Sequence, residues 1–254
     1  MIIDGKALAE ERVQELLRER ASLGPLTLSI VVMQESAVTT SFLKIKSRVA
    51  ERLGVSVEYV PSMETAKGDG IILQLPLPEG SNVEVERNKT PLHKDVDGLS
   101  DAAFDAFLRG EFPPPPVPRA MEYVLKKNGI DARGKRVVVV GQGRLVGKPA
   151  AELMRQRGAT VVTLGRGDDI ATHTLDADIV ILGAGEPHLL KPEMVREGVI
   201  ILDAGTSESS GKVVGDADPR CADKAALFTP TPGGIGPIAV VEIFANLFEL
   251  VKRR

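Results

Sequence analysis

Residues 134–149, GKRVVVVGQGRLVGKP, constrain the fold more than any other stretch of this chain. Val137, Val138, Val139 and Val140 are apolar on every side and too few for a helix, the pattern of a parallel strand covered on both faces. Gly141, Gly143 and Gly147 follow at once, and a helix is expected over 149–157 with Ala150, Ala151, Leu153 and Met154 facing inward. Such a strand, glycine turn and helix start present unpaired backbone N–H groups at the positive end of a helix dipole, and glycines let a pyrophosphate approach the main chain. The spacing is GxGxxxG, one residue longer than the common dinucleotide fingerprint, so the turn by itself also fits any tight strand-to-helix connection. Strand candidates at 160–164, 178–182 and 199–203 alternate with helical patterns and tip the reading toward a nucleotide-binding α/β layer.

Upstream, a short strand start at Ile2 and Ile3 precedes an amphipathic helix over 5–23 carrying Leu8, Val13, Leu16 and Leu17, stopped by Gly24 and Pro25. Strands are expected at 26–33, 55–60 and 70–75, and a helix over 37–53. On that helix Phe42, Ile45, Val49 and Leu53 form an apolar stripe, Lys44, Arg48 and Glu51 face away, and Lys46 falls within the stripe. An ammonium there must pair, occupy a pocket or extend its head to water, because burying it alone costs several kcal/mol. Only residues 61–69 separate two of the strands, so any helix in that crossover is minimal. Gln74 interrupts an apolar run just before Pro76, where open α/β sheets carry ligand-binding side chains; an exposed strand end is the plainer reading. Residues 93–98, HKDVDG, read as a solvated loop with a fixed turn.

A short helix at 104–108 is followed by prolines at 113–116, expected to be extended, and by a helix opening at 121–125. The domain boundary is placed here. Residues 228–237 read as too rigid and glycine-rich for a regular element. The last helix, 238–252, puts Val241, Phe244, Ala245, Phe248 and Val251 on one face. The expected fold class is therefore α/β in two domains: an N-terminal catalytic domain of 1–116 and 239–254, and a Rossmann-like, doubly wound nucleotide domain of 117–238, with the C-terminal helix returning to the first.

Composition narrows the function. A net charge of −3 over 254 residues, with no basic run beyond Lys252, Arg253 and Arg254, argues against a nucleic-acid surface. No apolar run approaches the roughly 20 residues that cross a bilayer, so no membrane partner is expected. The lone Cys221 cannot form an internal disulfide and the chain opens on Met1, Ile2, Ile3 and Asp4 without a leader pattern, so a cytoplasmic protein is expected, with no metal site.

Five motifs in order carry a resemblance over nearly the whole chain: Ile3-Asp4-Gly5-Lys6, GIILQLPLP at 70–78, KDVDG at 94–98, VVVGQGRLVGKP at 138–149 and TPTPGGIGP at 229–237. The chain resembles the bifunctional methylenetetrahydrofolate dehydrogenase/cyclohydrolase family. The resemblance implies oxidation of methylenetetrahydrofolate by hydride transfer to a nicotinamide, hydrolysis of the methenyl product to formyltetrahydrofolate, a role in one-carbon metabolism and purine biosynthesis, and a homodimer. It implies Lys46 as the catalytic lysine, Gln74 as its hydrogen-bond partner and Asp97 as the carboxylate that grips the pterin, with Phe42, Gly233, Gly234 and Pro237 also at the folate. A cation near the one-carbon bridge polarises it, an amide oxygen orients that cation, and a carboxylate pairs with the pterin's amidine edge. Toward the cofactor it implies Gly141, Gln142, Gly143, Arg144, Val146, Gly147, Arg166, Gly183, Thr206 and Gly234.

The chain also departs from the family pattern. Phe42 stands where the family has a tyrosine one helical turn before the lysine, Pro115 to Ala120 lack a hydroxyl and a glycine, Gln142-Gly143 replace Arg-Ser, Gly165-Arg166 replace His-Ser, and Ala239 replaces a threonine. Phe42 is expected to leave the dehydrogenase working and to make the cyclohydrolase the weaker activity. Arg166 at the end of the second nucleotide-domain strand suits the extra phosphate of NADP, which is the expected cofactor, whereas Asp168 and Asp169 just beyond could reverse that preference toward NAD. Competing readings are a dehydrogenase for another small substrate, which leaves GIILQLPLP and KDVDG unexplained, and a catalytically silent folate- or nucleotide-binding regulator.

Overall fold

The computed structural model describes residues 1–34, 37–209 and 212–254. The chain divides into two compact units, Met1–Ala9 with Val117–Ala239 (the glycine-loop unit) and Glu10–Pro116 with Val240–Arg254 (the Lys46 unit). The first nine residues thus group with the glycine-loop unit, a difference from the expected division. The reason is a bridge from Ile2 to Phe228, in which Ile3 N donates to Phe228 O at 2.9 Å and Phe228 N to Met1 O at 2.9 Å. The division falls within helices α1 (Gly5–Arg20) and α8 (Ile235–Lys252).

In the Lys46 unit, β1 (Thr27–Val31), β2 (Ser56–Val60) and β3 (Gly70–Leu73) form a parallel sheet in the order β2-β1-β3. The short crossover between β2 and β3 holds only a 3-10 turn, Met63–Thr65. Met63 and Ala66 anchor it by packing with Val31, Ile71, Leu73 and Leu99. Helix α2 (Ala37–Arg52) turns a different face inward from the one its apolar pattern suggests. Ile45 is 41% exposed, whereas Thr39, Ala50 and Leu53 are buried, so the inward row runs 39, 43, 46, 50, 53 and keeps Lys46 on it. Helix α3 (Val83–Asn88) starts on Asn82, and α4 (Asp101–Leu108) on Ser100, each cap side chain accepting backbone N–H groups.

Helix α8 is buried on more than the one face read from sequence: Ile243, Phe244, Leu247, Phe248 and Leu250 are all covered, as are Glu242 and Asn246. Each such apolar side chain contributes roughly 1.5–3 kcal/mol on burial, and losing the Phe244 ring to alanine would cost about 3–5 kcal/mol. The polar pair needs partners at that depth. Glu242 takes Arg12 Nε at 2.8 Å, and the Asn246 carboxamide donates to Val96 O at 2.9 Å and Pro114 O at 3.1 Å.

In the glycine-loop unit, helix α5 (Pro116–Lys127) begins inside the proline run expected to be extended, since Pro116 takes the first helical position, where a missing N–H costs nothing. Five parallel strands follow: β4 (Arg136–Val140), β5 (Thr160–Leu164), β6 (Ile179–Leu182), β7 (Ile200–Asp203) and, after the antiparallel hairpin β8 (Ser207–Ser209) and β9 (Lys212–Val214), β10 (Leu227–Thr229). Their order is β10-β7-β6-β4-β5. The chain steps from β4 to β5 on one side and resumes at β6 on the other, so the winding reverses between β4 and β6. Val140 pairs with Leu164 on one side and Leu182 on the other. Helix α6 (Gly147–Gln156) starts two residues before the expected position, and α7 (Ile170–Thr174) is a single turn and a half. Residues 228–237 are more regular than expected, because Phe228 and Thr229 belong to β10 and α8 opens at Ile235.

Candidate functional site

In the Lys46 unit the inward row of α2 delivers Lys46 to the carboxyl end of β3. Its Nζ donates to Gln74 Oε1 at 2.6 Å, while Gln74 Nε2 donates to Leu75 O at 2.7 Å, which fixes the amide with its oxygen toward the ammonium. Gln74 is 8% exposed and so is a buried polar residue, where an exposed strand end was the plainer expectation. Burial pulls the Lys46 pKa below the ordinary lysine value, and the negative charge of Asp97 opposes that fall.

Residues 93–98 are not a solvated loop. Asp95 and Val96 are buried, and Asp95 accepts Leu99 N at 3.2 Å and Ser100 N at 2.8 Å, turning the chain into α4. The sequence signal missed here was the Asp-to-Ser spacing that ties a loop to the following helix cap. Asp97 is half-buried and accepts no hydrogen bond among the described residues. Burial pushes its carboxyl up to about 6, with Lys46 pulling down and Asp95 pushing up. The arrangement is a restrained ammonium within the electrostatic reach of a carboxylate whose acceptor sites are free among the described residues. The side chain of Phe42 lies outside the described residues.

The glycine-loop unit gathers another set. Gly141 N donates to Leu164 O at 2.9 Å as β4 ends, and Gln142 Nε2 donates to Gly141 O at 2.9 Å. A Cβ on Gly147 would lie 1.9 Å from Gly141 O, and one on Gly141 would lie 2.4 Å from Gly183 O, so those glycines are required by packing. Gly143 differs: it is exposed, and a Cβ there would meet nothing closer than Gly183 O at 4.0 Å. The space a side chain would fill there is open, beside the start of α6, where Val146 supplies no side-chain cap and the Gly143 carbonyl accepts Lys148 N at 3.1 Å. This is a cradle that fits a dinucleotide's phosphates, at the sheet's reversal point. Arg144 and Val146 are half-buried within it.

Arg166 is exposed past the end of β5 and forms no ion pair among the described residues. The neighbouring acids are occupied: Asp168 accepts Gly165 N at 2.7 Å, and Asp169 caps α7 through Thr172 N. Thr206 is exposed just beyond β7. Gly233, Gly234 and Pro237 lie in this unit too; Gly233 O accepts Gly5 N at 2.9 Å and Gly234 N donates to Pro230 O at 2.7 Å.

Sequence reading also passed over Asp203 and Asp216, which are 1% and 0% exposed. Asp216 accepts three backbone N–H groups, from Ala184 at 2.6 Å, Gly185 at 3.1 Å and Glu186 at 2.9 Å. Asp203 accepts Gly205 N at 2.8 Å and Ala217 N at 2.9 Å. Burial pushes Asp203 up to about 6 against those amides, and the charge of Asp216 adds to the rise.

A parallel sheet that reverses at a glycine turn, joined in one chain to a unit carrying a half-buried lysine that feels the charge of a nearby carboxylate, defines a dinucleotide-binding α/β protein of the dehydrogenase class. Residues 115–254 match the family model described as tetrahydrofolate dehydrogenase/cyclohydrolase, NAD(P)-binding domain, and the chain belongs to that family. It is 32% identical to the bifunctional protein FolD of Caldanaerobacter subterraneus subsp. tengcongensis, over 99% of this chain and 97% of that protein. It is 33% identical to the bifunctional protein FolD of Methanococcoides burtonii, over 99% and 96%. Among solved structures, the bifunctional FolD enzyme of Campylobacter jejuni superposes with a TM-score of 0.92 at 29% identity, covering 100% of this chain and 99% of that one. The Trypanosoma brucei enzyme, solved with NADP and an inhibitor, gives 0.89 at 28% identity, covering 100% and 97%.

Proposed function

We propose that the chain oxidises methylenetetrahydrofolate to methenyltetrahydrofolate with NADP and hydrolyses the product to formyltetrahydrofolate. The observation that carries this reading is the pairing of Lys46 with Gln74 opposite Asp97, whose oxygens accept nothing from the described residues. Asp97 would accept two N–H groups of the pterin amidine edge. Lys46 would place its ammonium at the one-carbon bridge, and its lowered pKa lets it release and retake a proton during hydrolysis. Gln74 holds that nitrogen in one direction. When bound, the nicotinamide supplies a hydride acceptor. In the hydrolysis, water adds to the methenyl carbon, a C–O bond forms, one C–N bond breaks and a proton leaves.

For the cofactor, Arg166, with no ion pair among the described residues and beside two acids already committed to backbone N–H groups, favours NADP over NAD. The finer family expectations belong to the same reading: a folate domain and a nucleotide domain close to the two compact units, Gly233, Gly234 and Pro237 serving folate, Thr206 and Gly183 serving the cofactor, a cytoplasmic setting and supply of purine biosynthesis. A homodimer is supported by the unpaired edge of β2, where Tyr59 is 50% exposed. The deciding experiment is a spectrophotometric assay with methylenetetrahydrofolate and either NADP or NAD, followed by methenyl hydrolysis. No turnover with either dinucleotide would remove the proposal. Phe42→Tyr, assayed for both reactions, is expected to raise hydrolysis selectively by restoring a hydroxyl one turn from Lys46. A parent hydrolase that is already fast and gains nothing would show that Lys46 and water suffice.

A further inference from the structure

The three backbone amides held by Asp216 belong to the turn that leaves β6, the strand beside β4 at the sheet's reversal point. That turn is the exposed run Ala184, Gly185, Glu186, so a buried carboxylate is fixing a surface loop from below. The residue before it, Gly183, packs without a gap against the glycine loop. A Cβ on Gly183 would lie 2.5 Å from Val146 Cγ1, and one on Gly141 would lie 2.4 Å from Gly183 O. Any shift of the 184–186 turn is therefore passed to Gly141 and Val146, on either side of Gly143 with its open side-chain position.

Asp216 is itself locked in place. Gly205 leaves no room beside it, since a Cβ there would lie 2.1 Å from the Asp216 carboxyl carbon, and Asp203 ties Gly205 N to Ala217 N across the same spot. Two buried carboxylates are costly in a unit of this size, and the hydrogen bonds they accept account for their presence only by what those bonds position. We propose that Asp216, braced by Asp203 and Gly205, is a positioning residue for the dinucleotide: it sets the Ala184–Gly185–Glu186 turn and, through Gly183, the shape of the Gly141-to-Gly147 phosphate loop.

This inference rests on the dinucleotide reading above, and its test separates the two. NADP binding to the full chain is measured by titration calorimetry for the parent, Asp216→Ala, Asp216→Asn and Gly205→Ala, together with methenyl hydrolysis, which does not use the dinucleotide. Asp216→Ala is expected to weaken NADP binding at least tenfold. Asp216→Asn keeps one acceptor oxygen and is expected to lose less, and Gly205→Ala, which retains both acids but displaces the carboxylate, to fall between them. Hydrolysis kcat/KM is expected to stay within twofold of the parent in all three. Parent-level NADP affinity in a folded Asp216→Ala or in Gly205→Ala would overturn the inference, as would hydrolysis falling in parallel with cofactor affinity. Should Asp216→Ala fail to fold, Gly205→Ala decides. A parent chain that binds neither NADP nor NAD would overturn the dinucleotide reading and this inference with it.

Discussion

Asp97 in one unit and Asp203 in the other reach a pKa of about 6 by different balances. Burial is the leading cause for both, and a second acid raises each further. What resists the rise differs: for Asp97 it is the Lys46 ammonium, for Asp203 it is backbone N–H groups of Gly205 and Ala217. A lysine head can move, lose its proton or be drawn toward a ligand, whereas backbone amides are fixed by the fold. Among the described residues Asp97 also keeps its acceptor sites open, while both oxygens of Asp203 are taken. The same shifted carboxyl group thus stands in two settings, one with its acceptors open among the described residues and one tied to backbone amides.

The hardest blow to that contrast is Lys46→Met, which keeps length and packing but removes the cation. Methenyl hydrolysis is expected to fall about 100- to 10,000-fold, the usual worth of a positioned acid–base group. A folded variant that hydrolyses at the parent rate would leave Asp97 without its proposed partner.

Asp97→Ala is expected to weaken folate binding about 10- to 100-fold, from the loss of charged hydrogen bonds worth roughly 1.5–3 kcal/mol. The parent's folate affinity is expected to drop as pH falls through about 6, where Asp97 takes up a proton, and the Asp97→Asn profile to be flat there. In the unliganded chain the sign reverses. A carboxyl whose folded value is raised above 3.8 burdens stability fully above about 6 and not at all well below 3.8, so Asp97→Asn should melt higher than the parent at pH 8, with the gap closing in acid. Melting curves that keep a constant gap across this range would show that Asp97 titrates as an ordinary acid.

Gln74→Ala releases the Lys46 head from its 2.6 Å bond, and turnover is expected to fall about tenfold with folate KM within twofold. Equal losses in both parameters would make Gln74 a binding residue. The smallest effect is expected from the exposed Arg166→Ala, which should narrow the preference for NADP over NAD by about fivefold, the scale of a surface charge contact near 1 kcal/mol. Unchanged relative turnover with the two dinucleotides would return the choice to Asp168 and Asp169.

What sequence could reach follows from locality. The buried parallel strands announced themselves as short apolar runs, and β5 falls at the residues its pattern marked out, because burial on both faces needs no knowledge of partners. Helix α2 shows the limit. Its apolar residues admit a stripe through Ile45, but the sheet it packs on selects the row through Thr39 and Ala50; Lys46 and Leu53 lie close enough to both choices to be found either way. Asp203 and Asp216 were illegible for a related reason. An acid in a glycine-rich stretch looks solvated until the chain brings distant amides onto it, and Asp216 takes its amides from about thirty residues upstream.

The Asn246 carboxamide, which caps the Val96 and Pro114 carbonyls, has a bearing on biosynthesis. It reaches Val96 from 150 residues further along the chain, so the segment beside Asp97 must wait for its last support until the C-terminal helix has been made. At roughly 5–20 residues per second, that delay is about 8–30 s of translation. The larger piece of the glycine-loop unit, 117–239, lies in sequence between the two pieces of its neighbour and emerges from the ribosome before the neighbour can close. Vectorial synthesis thus orders the assembly: the 117–239 piece can be in place first, and the Lys46 unit is completed only once α8 has been made.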